Sequence, residues 1–428
     1  MPGRPTHRQN PTRQPAGVLP PLPEPVRFDL DNHAVDAAEE REQLLTLIYI
    51  QRTPDKLPAT ALPHALRSLG SATALLRLSA TELADRLGCP AEATERFVAR
   101  GEDPKLRTEV RGECKRLDHG PNRLVSLLDS EYPPMLRFAP APPLAIWIRG
   151  QLMTRDAAAV AVLGASRVST AGQTLTQYHA EHFAEHGFAV VNGGEAGVDA
   201  TAIDAAIRAG GRAVIALGAG LTAHGRPALQ AVYDRVTDPN DPHGVMLSTV
   251  PLLTPPDAVN QVAGDHLVTH LALACLVVRS RRNGGAMIAA RLADDAGRPV
   301  LTVPGEPDAD DVQGCHQLLR SGRAALALHP DDALEAAGQT VRQITERHAQ
   351  QRWLQPHFTA EHPLGPAERS DRTLISCLRR AGLPLGLPQL AGDAELEPAE
   401  AAYRLSRLRL LGLVAYESVS QRYALNHG

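Results

Sequence analysis

Lysine is almost missing from this 428-residue chain. Only Lys56, Lys105 and Lys115 occur, and every other basic side chain apart from histidine is arginine. With so much Ala, Leu, Gly and Pro, that bias reads as GC-rich coding rather than selection for guanidinium chemistry. Bulk positive charge is lacking too: the formal net charge is −4, so nucleic-acid binding has to come from a local patch. The five cysteines (Cys89, Cys114, Cys275, Cys315, Cys377) are scattered without a CxxC pair. They indicate neither a zinc site nor a disulfide framework, and a reducing cytoplasm is the simplest setting. No apolar run approaches membrane-spanning length, and the first residues hold Arg and Pro but no apolar core, so neither a membrane segment nor a secretory signal is expected. No Ser/His/Asp or Cys/His arrangement stands out and the histidines are dispersed. The expectation is therefore no catalytic residue, no metal, no cofactor and no enzyme activity.

What is present is a beat of apolar runs that end in glycine. Ala157–Arg167 (AAAVAVLGASR) opens it, and a helical pattern over Thr170–His186 follows. Phe188–Gly194, Arg212–Gly220, Gly244–Val250, Cys275–Ser280, Pro299–Gly305 and Ala324–His329 continue it, with a helix near Asp199–Ala209. Continuous rather than alternating apolar runs mark strands buried on both faces. Seven of them separated by helical patterns predict an α/β domain, a Rossmann-like doubly wound parallel sheet. Ligands of such sheets sit beyond the carboxyl ends of the strands, where loops and helix N-termini present free N–H groups. The residues there are Gly164, Ser166 and Arg167; Gly193, Gly194, Gly197 and Asp199; Gly218 and Gly220; Arg279, Arg281 and Arg282; Gly284 and Gly285; Pro304 and Gly305. Most of the glycines double as tight turns, and Asp199 is expected to act first as a helix N-cap. Gly218-x-Gly220-x-x-Ala223 fits a dinucleotide fingerprint formally, but it follows the third strand and lacks an acidic partner.

The flanks differ in kind. Residues 1–30 are Pro- and Arg-rich and expected to be a disordered tail. A small helical domain of the helix-hairpin-helix type is expected over 37–110, from short helical patterns between Gly and Pro. Arg123–Gly150 reads as a connector whose Ile146-Trp147-Ile148 forms an edge strand. A linker is expected over 350–366, after a helix from Asp331 to about Ala349. Three helical patterns and a hairpin over 367–428 give the order of a winged-helix domain, with Arg404, Arg407 and Arg409 on its third helix, where a DNA-reading copy places phosphate contacts. A protein-docking winged helix fits the same pattern.

At this point the chain resembles the DprA/Smf family of bacterial DNA-processing proteins. The resemblance is carried by Tyr132, Pro133, Leu136, Pro142, Pro143, Leu144 and Gly150; by Gly164-Ala165-Ser166-Arg167; by Asn192 to Asp199 (NGGEAGVD); by Leu217 to Leu221 (LGAGL); and by Gly284 to Ala289, Gly297 to Val300, Pro304-Gly305 and Gly314-Cys315. It implies a Rossmann-like core over 123–335 that binds single-stranded DNA, helps load the recombinase RecA, dimerises through that core and catalyses no reaction. The sequence departs from the family pattern at Ala196 and Ile203, where the family has Arg and His. Gly264-Asp265-His266 stands in place of Arg-Asn-Arg, and Arg279 in place of Glu.

The DNA-binding set expected on this basis is Gly164, Ser166, Arg167, Gly193, Gly197, Asp199, Gly218, Gly220, Arg279, Arg281, Arg282, Gly284 and Gly285. Glycines admit close backbone N–H groups and arginines supply bidentate donors for phosphate. Positive charge has moved, in this reading, from the lost clamp to the arginine run, with Arg167 facing it. Two alternatives share the fold: a nucleotide-binding or nucleotide-processing protein, and a DprA-like scaffold without DNA binding.

Overall fold

The computed structural model describes residues 37–223, 227–354, 369–411, 413–417 and 420–425. The expected tail over 1–30 and the part of the expected linker beyond Leu354 lie outside them.

The seven apolar runs form the strands β3 (Ala159–Gly164), β4 (Ala189–Asn192), β5 (Ala213–Leu217), β6 (Gly244–Ser248), β7 (Ala274–Arg279), β8 (Val300–Thr302) and β9 (Ala325–Leu326). All pair in parallel. Two further strands, β1 (Asn122–Ser126) and β2 (Ala145–Gly150), extend the sheet antiparallel beyond β6. The order is β1-β2-β6-β5-β4-β3-β7-β8-β9. Trp147 therefore belongs not to an edge strand but to one covered by β1, and it is fully buried. The intervening Tyr-Pro-Pro stretch is structural: the buried Tyr132 hydroxyl donates to Pro143 O at 2.9 Å.

The continuous apolar runs are explained by cover on both faces. Ala159, Ala161 and Leu163 of β3 join Cys275 and Val277 of β7 in one core, with helices Ala258–Leu271 and Ala286–Asp295 over it. Val160 and Val162 join Leu276 and Val278 in the other, under helices Thr170–Glu185 and Pro330–Leu354. Side chains alternate across a strand, so burial of both faces leaves no polar position.

Six helices precede the sheet: Ala37–Ile50, Ala61–Leu69, Ala72–Leu76, Ala80–Leu87, Ala91–Gly101 and Pro104–His119. The last runs beyond the expected boundary at 110, and it announces itself: Asp103 caps it by accepting from Lys105 N, and Pro104 starts it. Leu45, Phe97 and Val110 from these helices share one apolar cluster with the sheet. The fully buried Glu113 ties the two together, its Oε1 accepting from Leu252 N at 2.7 Å.

At the other end, helix Pro330–Leu354 runs five residues past the expected Ala349. Helices Arg369–Ala381, Leu387–Asp393 and Pro398–Leu410 follow, with the strands β10 (Leu385–Gly386), β11 (Val414–Glu417) and β12 (Arg422–Leu425) paired antiparallel. Helix Pro398–Leu410 points inward: residues 401–408 and Leu410 are all buried. Tyr403 sits where a Cβ on Gly187 would meet its backbone at 2.2 Å, and Ser406 Oγ donates to His186 O. Arg404 and Arg407, which a DNA-reading winged helix would turn to a phosphate backbone, are buried here. Arg404 Nε donates to Glu400 at 2.6 Å, and both arginines pair with the buried Asp371. Only pairing of this kind makes a buried guanidinium tolerable.

Candidate nucleic-acid interface

The chain leaves β3 in both directions. β4, β5 and β6 follow on one side and β7, β8 and β9 on the other. The helices that follow β3 and β7 therefore take opposite faces of the sheet, and the carboxyl edge between them is the crevice where such sheets usually take ligands. The loops after these two strands run side by side: Gly164 is in register with Arg279 after an irregularity at Leu163, and Ala165 N donates to Arg279 O at 2.8 Å.

On the β3 side, Gly164 and Gly197 are architectural. A Cβ on Gly164 would lie 2.3 Å from the Val198 side chain, and Gly197, at φ +77°, would meet Ala165 O at 2.3 Å. This close approach lets helix Val198–Arg208 seat against the turn, with Val198 N donating to Ala165 O at 3.1 Å. The next two residues, Ser166 and Arg167, are exposed.

On the β7 side the arginine run divides. Arg279 is withdrawn: it is 5% exposed and donates through Nη1 to Val278 O at 2.8 Å. Its Nε lies 4.0 Å from Asp311 Oδ2, which also accepts from Ser169 Oγ at 2.8 Å. As the final residue of β7 it is enclosed by Gly172, whose Cβ would reach its Cγ at 2.9 Å. The expectation that it contacts phosphate does not fit this geometry. Arg281 and Arg282 are exposed, and like Arg167 they have no ion-pair partner among the described residues. Gly284 and Gly285 turn the chain into helix Ala286–Asp295; Gly285 is exposed with open space at its Cβ position.

The remaining candidates turn inward. Gly218 is packed against the backbone of Gln261, and a Cβ on Gly220 would lie 2.2 Å from Leu252 O. Neither is open to a ligand, so the dinucleotide fingerprint has no site. Asp199 is not the N-cap. Gly197 holds that place, and the Asp199 carboxylate reaches back to accept from Gly193 N at 3.1 Å and Glu195 N at 3.2 Å. It thereby folds the NGGEAGVD loop, which Tyr233 also braces by donating to Gly194 O at 2.8 Å. Gly193 is half-exposed, with no atom closer than 3.5 Å to its Cβ position.

Acidic groups lie in the loops on either side of the three exposed arginines, after β4 and after β8. Burial pushes the Asp199 carboxyl up to about 8, against the two N–H groups that favour its charged form. Asp265, in the segment that replaces the basic clamp, is raised to about 6 by burial, with Glu195 adding to the shift. Beyond β7, the loop after β8 carries Glu306, Asp308, Asp310 and Asp311, a run readable in the sequence.

A family model described as DNA recombination-mediator protein A matches residues 123–338. Among curated proteins, Protein Smf of Synechocystis sp. is 26% identical over 312 residues, spanning 68% of this chain and 77% of that one. Protein Smf of Escherichia coli is 30% identical over 217 residues, 50% of this chain and 57% of that protein. Among solved structures, DNA processing protein A of Streptococcus pneumoniae superposes with a TM-score of 0.56 at 23% identity, covering 68% of this chain and 97% of that chain.

Proposed function

This chain belongs to the DNA recombination-mediator protein A (DprA/Smf) family, and from that premise we propose that it binds single-stranded DNA in recombination through the crevice between β3 and β7. The observation that carries the reading is the trio Arg167, Arg281 and Arg282, exposed and without ion-pair partners among the described residues, on the two lips of the switch point. A guanidinium free of carboxylate is available for bidentate contact with phosphate. The adjoining N-termini of helices Thr170–Glu185 and Ala286–Asp295 add partial positive charge on the same edge. Acids on either side restrict contact to a single narrow backbone, which favours a lone strand over duplex. A role beside the RecA recombinase, a homodimer formed through the core and a cytoplasmic location are part of this proposal and rest on the family resemblance. We assign the chain no reaction.

The C-terminal module is read as a winged helix used for docking. Its third helix, the one that enters the groove in DNA-reading copies, is buried against the core.

The test is a salt-dependent gel shift with oligo-dT, the matching duplex and an AMP-type nucleotide as competitor. The expected result is preference for the single strand, steep weakening with salt, and no competition by the nucleotide. Equal affinity for both DNA forms removes the reading. Displacement by nucleotide favours the nucleotide-binding alternative, and no binding at low salt favours the scaffold without a DNA site.

A further inference from the structure

Away from the crevice, at the joint between core and C-terminal module, three potential ligand groups converge. His182 lies in the last turn of helix Thr170–Glu185, while His329 and Asp331 lie where β9 leads into helix Pro330–Leu354. His182 Nε2 is 3.3 Å from Asp331 Oδ1, and His329 Nδ1 is 3.3 Å from Asp331 Oδ2. One donor atom from each residue lies within 4.8 Å of the other two. Asp331 is only 9% exposed, yet its Oδ2 has no hydrogen-bond partner among the described residues. A carboxylate oxygen held from water without a donor is costly unless a cation offsets it.

We propose that His182, His329 and Asp331 form a binding site for a divalent transition-metal ion of the zinc type. Bonds of about 2.1 Å at tetrahedral angles place ligand atoms about 3.4 Å apart. Each imidazole already stands at that spacing from one oxygen of Asp331, His182 from Oδ1 and His329 from Oδ2. The third pair closes by rotation of His329, whose side chain is half exposed. That rotation gives up the hydrogen bond His329 Nδ1 accepts from Asp331 N at 3.2 Å and frees its lone pair for the ion. The His182 ring is steadied by stacking on His186 at 4.1 Å, and His186 Nδ1 in turn bonds to His182 O at 2.8 Å. Two imidazoles and one carboxylate select zinc, cobalt or nickel over magnesium and calcium, which prefer all-oxygen sets. The solvent side of His329 leaves room for water as a fourth ligand.

The site bears on the joint. Arg409 Nη1, from the last turn of helix Pro398–Leu410, lies 3.6 Å from Asp331 Oδ1. An ion and this guanidinium draw on one carboxylate and repel each other, so loading the site loosens the hold of the core on the C-terminal helix.

The experiment is a Co²⁺ titration of the full chain followed by visible absorption, with Zn²⁺ as competitor. The expected spectrum has d–d bands without the near-ultraviolet charge-transfer band of a thiolate. His329→Ala, at an exposed position, should fold normally and lose at least about 100-fold in affinity, since even loss of a supporting outer partner costs 10–100-fold; His182→Ala should do the same. The double variant His266→Ala/His270→Ala removes the other stacked pair, with ring centroids 6.0 Å apart, and should bind as wild type. Three results overturn the proposal: no cobalt spectrum in the wild type, a thiolate band, or wild-type affinity in both His182→Ala and His329→Ala.

Discussion

Replacing Arg281 and Arg282 together by Ala tests the interface most directly. Both side chains are exposed and have no ion-pair partner among the described residues, so their removal breaks no ion pair there and leaves no buried charge. Each phosphate contact on a single strand contributes about 0.7 to the slope of log K against log salt. Two contacts are therefore worth about 1.4 of slope. Extrapolated between 1 M and 0.1 M salt, that is about a 25-fold loss of affinity, roughly fivefold per arginine. Arg167→Ala should remove about 0.7 more. Arg279→Ala belongs to a different class: this side chain is enclosed between Gly172 and Asp311, so its loss should lower stability and leave the slope alone. The assay is fluorescence anisotropy of a labelled oligo-dT at four or more salt concentrations, with melting temperatures measured in parallel. An unchanged slope in Arg281→Ala/Arg282→Ala, with the fold intact, would place the DNA contacts away from the crevice and refute the assignment.

Two further expectations follow from the buried charges. Arg407→Ala removes the closer of the two guanidinium contacts on the buried Asp371, Arg404 lying at 3.5 Å; the cost should be about 3 kcal/mol in thermal or denaturant unfolding of the C-terminal module, with the DNA salt slope unchanged. The second concerns pH. Asp265 is raised to about 6, so it is neutral below that value and negative above it, and single-strand affinity should fall as pH rises through about 6. Asp265→Asn should flatten that part of the profile in the same anisotropy assay. Stability follows the same sign. The folded state holds the Asp265 and Asp199 protons more tightly than the unfolded chain, so their contribution is full below the ordinary carboxyl pKa and fades as pH rises through about 6 and about 8.

Much of the architecture was legible in the chain. Strand runs such as Ala159–Gly164 and Ala213–Leu217 are apolar at every position because helices cover both faces, and such runs carry their own signal. Short helices stood out where caps and glycines bound them, as at Ser79 and Gly88 around Ala80–Leu87. The positions following β3 and β7 could be named as the lips of the crevice because topology places loops there whatever their composition. The sequence alone therefore determined the α/β class, the beat of the strands and the neighbourhood of Arg167, Arg281 and Arg282.

Direction and partnership were decided only in three dimensions. Arg279 and Arg281 are two residues apart in one basic run. One packs on Gly172 and the other faces solvent, because Arg279 is the last residue of β7 and lies under helix Thr170–Glu185, whereas Arg281 lies beyond the strand in the exit turn, where the pleat no longer sets direction. Arg404 and Arg407 ride a helix that pattern alone would offer to DNA, yet packing against Gly187 turns that face to Asp371 and the core. β1 escaped notice because the antiparallel hairpin with β2 is closed by a proline-rich excursion rather than a tight turn. The buried pair of Asp156 and Arg212, 56 residues apart with Nε at 2.5 Å from Oδ1, has no local trace at all. Such contacts depend on where distant segments meet in the fold, and short-range sequence periodicity carries no record of that.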